Sequence, residues 1–236
     1  MKLLIVTPTL NEEKSLDSHL KHIQANTNEI RKKNKCDPLY IDGGSTDETQ
    51  KLLAAEKIII KQGASIYEAF NIGSLYAIEN SYDFIMFLGV GDKLINGFAD
   101  ELNWLSSSSI DGLSNTIIFN DFFWSDNKRI TSYFKIQRGL MGFPHSGTIF
   151  PSFLFKNSFF DTNYRIAADL DWLLKNLDKL ESCQHHKFSN PMVQLKIGGI
   201  SMSRKNKFMH LYEFLRVCWK NKVFPSWKFI FLKIFG

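Results

Sequence analysis

Three aspartates, Asp42, Asp92 and Asp169, stand where a carboxylate could do chemistry. Asp42 ends an apolar run, and its carboxylate can accept a hydrogen bond from the imide N–H of a uracil or thymine ring. Asp92 lies in a glycine-bearing loop after another apolar run, where an acid can hold a divalent cation against phosphates. Asp169 lies near the start of a predicted helix, whose dipole stabilises the ionised form that accepts a proton. The three are candidates for base recognition, phosphate or metal binding, and general-base catalysis.

Each aspartate also has a purely structural alternative. Asp42 precedes a Gly-Gly turn in which Ser45 or Thr46 can cap the next helix. Asp92 is a common turn residue. Asp169 can itself cap a helix. The residue types alone leave these alternatives open.

Short apolar runs alternate with helical patterns over the first half of the chain. The predicted strands are KLLIVT, PLYI, KIIIK and DFIMFL, and the helices between them run from Glu12 towards Arg31, after GSTDETQ, and through SIYEAFNIGSLYAIEN. This alternation predicts βαβ units and an α/β fold with a mostly parallel central sheet flanked by helices. Ligands in such folds bind beyond the carboxyl ends of the strands, where Asp42 and Asp92 lie. From Asn115 onward the pattern predicts mixed strands, a helix in AADLDWLLKNLDKLE and a strand in KFSNPMVQLKI.

Charge divides the 236 residues unevenly. The chain carries a net charge of +5, but residues 202–236 hold eight Lys or Arg against Glu213 alone. We therefore predict a domain over 1–201 and a basic, amphipathic helical tail over 202–236 that meets an anionic partner. The tail has one apolar stripe and an aromatic end suited to a membrane interface, with packing back on the domain as the alternative. The stripe comprises Phe208, Leu211, Tyr212, Leu215, Cys218 and Trp219.

The three cysteines, Cys36, Cys183 and Cys218, are far apart and lack metal-ligand spacing, which favours a reducing compartment. The apolar run at the N-terminus ends after about five residues, too short for a secretory signal. No apolar stretch approaches the roughly eighteen residues that a membrane span needs. These features predict a cytoplasmic protein held peripherally at the inner face of the plasma membrane.

Five motifs together resemble family 2 glycosyltransferases, which are inverting enzymes with the GT-A fold. The motifs are TPTLNEE, IDGGSTDET, SIYEAFNIG, FIMFLGVGD and YRIAADLDWLL, in that order over residues 1 to about 200. IYEAFNIG followed by LGVGD most resembles the bacterial subgroup close to colanic acid and other surface-polysaccharide transferases. Each motif is weak alone, and their order carries the resemblance.

The resemblance implies roles for the residues at the donor nucleotide. Pro8, Thr9, Asn11 and Asp42 would hold the nucleoside, and Asn71 would donate to the diphosphate. Many relatives carry an Arg where this chain has a phenylalanine at position 70, so that phosphate contact must come from elsewhere.

The cation site departs from the family pattern. Most relatives have a D-x-D motif that binds manganese or magnesium, but Gly89 and Gly91 occupy those two positions here. Asp92 is the acid that remains, and the resemblance implies that it contacts the donor and holds a divalent cation. One carboxylate can suffice when phosphates and water complete the shell. Glycine at both positions also lets the diphosphate approach backbone N–H groups, so metal dependence is left open.

The resemblance implies that the catalytic base lies in the last motif. Asp169 matches the family's general base, whereas Asp171 lies about 200° round the helix and cannot face the same sugar. The upstream segment GFPHSGTIF is similar to a PHQ-like segment of the subgroup, with Ser146 where Gln is usual. His145 would contact a phosphate or the acceptor, or satisfy a core turn.

The function implied is transfer of a sugar from a UDP- or dTDP-sugar to a glycan or lipid-linked acceptor in bacterial surface-polysaccharide synthesis. The alternative is a catalytically silent nucleotide-sugar-binding module. A nucleotidyltransferase would need a glycine-rich, basic first loop, and TPTLNEE is acidic. The D-x-G-G-S/T match to actin-like kinases would need a second lobe. A nucleic-acid partner is not expected, because the predicted domain carries no basic stripe.

Overall fold

The α/β class is confirmed by a computed structural model, which describes residues 1–108, 112–124, 127–131, 136, 141–142, 144–196 and 204–224. The strands are β1 (Lys2–Thr9), β2 (Lys35–Asp42), β3 (Ile58–Ile60), β4 (Phe84–Phe87), β5 (Lys93–Leu94), β6 (Thr116–Phe119), β7 (Phe122–Trp124), β8 (Asn127–Arg129), β9 (Ile149–Pro151), β10 (Gln184–Lys187) and β11 (Val193–Leu195). The α-helices are α1 (Glu13–Ile30), α2 (Thr49–Leu52), α3 (Ile66–Glu79), α4 (Phe98–Ser107), α5 (Ala168–Lys175), α6 (Leu177–Glu181) and α7 (Lys207–Lys220).

The central sheet has seven strands in the order β10-β6-β9-β4-β1-β2-β3. β9 runs antiparallel to β4 and β6, and the other neighbouring pairs are parallel. A second sheet has the order β5-β11-β7-β8. The second half of the chain is therefore mixed, as the sequence predicts.

Side-chain alternation along β1 builds the core on both faces of the sheet. Leu3 and Ile5 pack into one buried cluster with residues of α1 and α4, whereas Leu4 and Val6 pack into a second cluster with α3, α5 and α7. Helix α3 approaches β1 closely at Gly73, where a Cβ would lie 2.4 Å from Cγ1 of Val6. Because both faces of the sheet are covered, we expect a ligand site at the carboxyl ends of its strands.

Aromatic side chains form a cluster in the core beside the central sheet. Phe155 stacks on Trp172 with ring centroids 4.5 Å apart, and Phe87 lies 4.5 Å from Phe70. Phe160 contacts both pairs. This cluster fills the space between the central sheet, α3 and α5.

Several predicted boundaries were wrong. The helix after GSTDETQ covers only Thr49–Leu52, the long helix beginning at 168 divides at Asn176 into α5 and α6, and KFSNPMVQLKI contains the end of β10 and all of β11. The Asn176 side chain ends the first helix by donating to the Trp172 carbonyl and accepting from Ser158. The strand expected in RITSYFKI falls mostly outside the described residues.

Helix α7 packs on the domain through a buried acid. Glu213 is only 6% exposed and accepts hydrogen bonds from the backbone N–H groups of Arg165, Ile166 and Ala167. Phe214, Val217 and Cys218 of the same face are buried as well. The tail helix is thereby joined to the segment that leads into α5.

The predicted stripe on the tail helix is confirmed in part. Its members Phe208, Tyr212 and Trp219 are 83%, 64% and 88% exposed, whereas Cys218 is buried at the border of the docked face. The aromatic end of the tail, residues 225–236, lies outside the described residues. Among the helices described, none combines the length and apolar content needed to cross a bilayer.

We predict that Glu213→Gln lowers the free energy of unfolding by about 2 kcal/mol, because one accepting oxygen becomes an NH2 donor and the other becomes a neutral acceptor. Urea unfolding would measure the change, and amide hydrogen exchange would show faster exchange in α7. Glu79→Gln makes the same chemical change at an exposed position of α3 and should stay within about 0.5 kcal/mol of wild type. Equal stability of the two variants would contradict the docking role of Glu213.

Candidate active site at the carboxyl edge of the sheet

The loops after β1, β2 and β4 meet at one edge of the central sheet, because these strands are neighbours and run parallel. A series of contacts connects Asp42 to Asp169 along this edge. Two steps of the series are between neighbours in the chain, from Asn11 to Glu12 and from Ser146 to His145. The contacts are Asp42 with Ser45, Ser45 with Asn11, Glu12 with Lys196, Lys196 with Asp92, Asp92 with Ser146, and His145 with Asp169. Asp42, predicted to bind the base, and Asp169, the predicted proton acceptor, are thus connected along this edge. We call the edge the rim; it comprises the loops after β1, β2 and β4 together with His145, Ser146, Asp169 and Lys196.

Asp42 organises the loop after β2. Its carboxylate is buried and accepts from the backbone N–H groups of Gly44 and Ser45, the Gln50 amide, and the hydroxyls of Thr9 and Ser45. Burial by itself would raise the pKa of Asp42, but the bonds from Ser45, Gln50 and Gly44 outweigh it and lower the pKa. Oδ1 of Asp42 accepts from the Gln50 amide at 2.8 Å, so a pyrimidine N–H would have to replace that amide. Contact with the base stays a prediction.

The other residues predicted to hold the nucleoside join the loop after β1 to the loop after β2. The Asn11 side chain accepts from Thr46 N–H at 2.9 Å, and Asn11 N–H donates to the Ser45 hydroxyl. Thr9 donates to Asp42, and half-buried Pro8 lies opposite Ile41 in the β1–β2 register. The predicted helix cap by Ser45 or Thr46 was wrong, because Glu48 holds the N-cap position of α2. Both hydroxyl residues instead tie the two loops together.

Asp92 joins three parts of the chain. Oδ2 accepts from Gly89 N–H at 3.0 Å and from the Ser146 hydroxyl, and Oδ1 accepts from Lys196 N–H at 2.8 Å. The Asp92 residue is only 9% exposed. Its side chain therefore closes its own loop and ties it to the segments before β9 and after β11.

A cation that bridges Asp92 and a diphosphate fits these residues poorly. Gly89 and Gly91 carry no side-chain oxygen, and three donors occupy most of the four or so lone-pair positions of the Asp92 carboxylate. Among the described residues, no group of three His, Cys, Asp or Glu side chains could hold a metal ion. A cation at Asp92 would share a 9% exposed carboxylate with the three hydrogen bonds that join these segments.

Two histidines of α1 support the same loop. Leu94 N–H donates to Nε2 of His22 at 2.9 Å, and Gly91 N–H donates to Nδ1 of His19 at 3.4 Å. Nε2 of His19 is buried and has no hydrogen-bond partner among the described residues. Burial, followed by the charges of His22 and Lys196, lowers the pKa of His19 to about 4. Burial also lowers the pKa of His22, so both rings are neutral acceptors at neutral pH.

Asp169 pairs with His145 at the other end of the rim. Nδ1 of His145 lies 3.0 Å from Oδ2 of Asp169, and a carboxylate only accepts, so Nδ1 carries the proton. Oδ1 of Asp169 accepts from Leu170 N–H. Phe70 is buried with its ring 5.2 Å from that of His145. Burial and then the charge of Asp169 raise the pKa of nearby Tyr67, so its phenol stays protonated and donates to the Ile166 carbonyl.

The side chains of Asn71 and Asp171 form hydrogen bonds that join helices to neighbouring segments. The Asn71 amide donates to the Phe160 carbonyl and accepts from Phe160 N–H, which joins α3 to the segment before α5. Diphosphate binding by Asn71 stays a prediction. Asp171 is 1% exposed and accepts from Lys220 and from the side chain of Asn221, at the end of α7. The two acids of α5 therefore face different surroundings, as the helical spacing predicts.

Sequence reasoning missed Lys196, His19, His22 and Tyr67. The two histidines lie three residues apart on α1, and that spacing was the available signal for a shared face. Lys196 directly follows β11 and could have been noticed as a cation at the end of a strand. Neither signal says which loop the side chain reaches.

Solved structures share this fold. No protein-family model and no curated protein matches the sequence. The structure of Staphylococcus aureus TarS residues 1–349 matches with a TM-score of 0.66 and 15% identity, over 94% of this chain and 65% of that chain. The mannosyltransferase PcManGT from Pyrobaculum calidifontis, in complex with GDP-Man and Mn²⁺, matches with a TM-score of 0.60 and 13% identity, over 91% of this chain and 64% of that one.

Glucosyl-3-phosphoglycerate synthase from Mycobacterium tuberculosis, in complex with Mn²⁺, UDP and phosphoglyceric acid, matches with a TM-score of 0.60 and 16% identity. The match covers 96% of this chain and 80% of that one. The chain thus spans somewhat less than two thirds of the length of the TarS and PcManGT structures. At these identities the likeness confirms the GT-A fold.

We predict that wild type loses about 2 kcal/mol more stability than His19→Asn between pH 7 and pH 5. The unfolded chain binds a proton at His19 below its ordinary pKa of 6.5, and the native chain binds it only near pH 4, so stability falls as pH falls through this window. Urea unfolding at both pH values would measure the difference. His186→Asn, in β10, should keep the wild-type pH dependence. An identical pH dependence in all three proteins would contradict the role of His19.

Proposed function

We propose that this protein is an inverting family 2 glycosyltransferase that transfers a hexose from a UDP- or dTDP-sugar. The acceptor is a glycan or lipid-linked oligosaccharide of bacterial surface polysaccharide, such as O-antigen, capsule or exopolysaccharide. The observation that carries the proposal is the pairing of Asp169 with His145 on the same rim as the Asp42 and Asp92 loops. The TarS structure in complex with UDP and the PcManGT structure in complex with GDP-Man, which share the fold, support a nucleotide-sugar donor for this protein.

In the proposed reaction, the acceptor hydroxyl gives its proton to Asp169 while its oxygen attacks the anomeric carbon. The bond from that carbon to the diphosphate oxygen breaks, and the electron pair leaves with the nucleoside diphosphate. Attack opposite the leaving group inverts the configuration. His145 acts as a positioning residue, because its Nδ1–H holds one oxygen of Asp169 and leaves the remaining lone pairs for the acceptor.

We predict that Asp169→Asn lowers the rate of donor turnover at least about a hundredfold, because the amide cannot accept the proton. Release of nucleoside diphosphate from a panel of UDP- and dTDP-sugars would measure it, with UDP affinity expected to be unchanged. Asp178→Asn, at an exposed position of the next helix, should keep the wild-type rate.

Equal turnover by wild type and Asp169→Asn would remove the base assignment. Binding of UDP without turnover by either protein would favour the silent nucleotide-sugar-binding module. His145→Asn, which can retain an N–H near the Nδ1 position, should stay closer to wild type than His145→Leu.

We further propose that the exposed face of α7 binds an anionic bilayer, on the cytoplasmic side of the plasma membrane where a lipid-linked acceptor would reside. The support is the exposed apolar row of Phe208, Tyr212, Leu215 and Trp219, opposite the docked face of the helix. The excess of Lys and Arg over acids in residues 202–236 complements anionic headgroups.

We predict that Phe208→Ser combined with Trp219→Ser weakens vesicle binding at least about tenfold, because two large apolar side chains no longer enter the lipid interface. Co-sedimentation with vesicles of phosphatidylcholine, with and without phosphatidylglycerol, would measure it. Trp104→Ser removes a 60% exposed tryptophan from α4 and serves as the matched control. Unchanged binding of the double variant, or a dimer that the double variant loses without any vesicle binding, would contradict the proposal.

A further inference from the structure

The leaving nucleoside diphosphate needs positive charge, and the rim lacks the paired acids that would bring a metal ion to it. Charge develops on the diphosphate as its bond to the sugar breaks, and groups placed there in advance stabilise it. Here the two acid positions are Gly89 and Gly91, and Asp92 is engaged by three hydrogen-bond donors. A cationic side chain on the rim can supply this positive charge instead.

Lys196 lies over the loop that the acids would occupy. Its backbone N–H donates to Asp92, which anchors the residue beside this loop. A Cβ at Gly91 would lie 2.5 Å from Cδ of Lys196 and 3.3 Å from Cγ and Cε. The absence of a side chain at position 91 thus makes the space that the stem of Lys196 fills, and an aspartate at that position would collide with it.

The ammonium group of Lys196 lies beside the loop after β1. Nζ lies 3.4 Å from Oε2 of Glu12, on the loop after β1, and the side chain is 43% exposed. The charge of Lys196 also contributes to the lowered pKa of His19 beneath the loop. An exposed pair of this kind is weak, so a phosphate with a larger negative charge can replace Glu12 as the partner.

We propose that Lys196 binds the donor diphosphate and stabilises the leaving group in place of a divalent cation. The inference rests on the proposed function, since it names the group that meets the phosphates of the same donor. An ammonium offers three N–H donors and one full positive charge, which suit phosphate oxygens. Glu12 keeps the side chain at the rim until the nucleotide arrives.

Calorimetric titration of the full chain with UDP, dTDP and uridine, in EDTA and in Mn²⁺, tests the proposal. We expect EDTA to change UDP affinity less than twofold. We expect Lys196→Gln to weaken UDP binding about tenfold or more, since a hydrogen bond to a charged group is lost. Uridine binding should change little, because the lost contact is to phosphate, and Lys196→Arg should recover most of the affinity for UDP.

Lys175→Gln removes an exposed lysine at the end of α5 and is the control for the loss of one positive charge. UDP binding that requires Mn²⁺, or equal UDP affinity of Lys196→Gln and wild type, would overturn the role of Lys196 and leave the proposed function standing. Equal loss of UDP and uridine binding by Lys196→Gln would show a structural role and overturn it as well. Failure of wild type to bind either diphosphate in both buffers would overturn the proposed function, and this inference with it.

Discussion

The carboxylate of Asp92 is the contact on which the arrangement of the rim depends. It joins its own loop to Ser146, 54 positions away, and to Lys196, 104 positions away. Each partner stands next to a residue or group with a proposed chemical role: Ser146 adjoins His145, and the backbone of Lys196 carries the ammonium side chain. One buried acid thereby sets the spacing between Asp169, the proposed proton acceptor, and Lys196, the proposed ligand of the diphosphate. Such a shared acceptor is strong because charged acceptors form stronger hydrogen bonds than neutral ones.

The support beneath this contact comes from neutral histidines. His19 and His22 accept backbone N–H groups from the loop that contains Asp92, and neutral imidazoles add no positive charge beneath it. Burial maintains that neutrality by lowering the pKa of both rings. The loop is thereby held in place without competing with Lys196 for an anionic ligand.

Helix α7 supports the helix start that carries Asp169, the proposed proton acceptor. Glu213 accepts three consecutive N–H groups directly before α5, and Asp171 of α5 holds Lys220 of α7. Both contacts fix the helix start on which Asp169 lies. Under the proposed function, these contacts would connect the helix that binds lipid directly to the helix start that carries Asp169.

The sequence by itself determined the α/β class, the parallel order of the first half and the acids at strand ends, because alternating apolar runs and βαβ lengths depend on local chain geometry. It also separated Asp169 from Asp171, since helical spacing alone turns them apart. Only the tertiary structure decided that Asp42 is buried among five donors, that Asp92 binds segments far along the chain, and that the apolar positions of α7 divide between two faces. It also decided where Lys196 reaches, because a long side chain takes its place from the space left by residues such as Gly91, and that space exists only once distant segments have packed together.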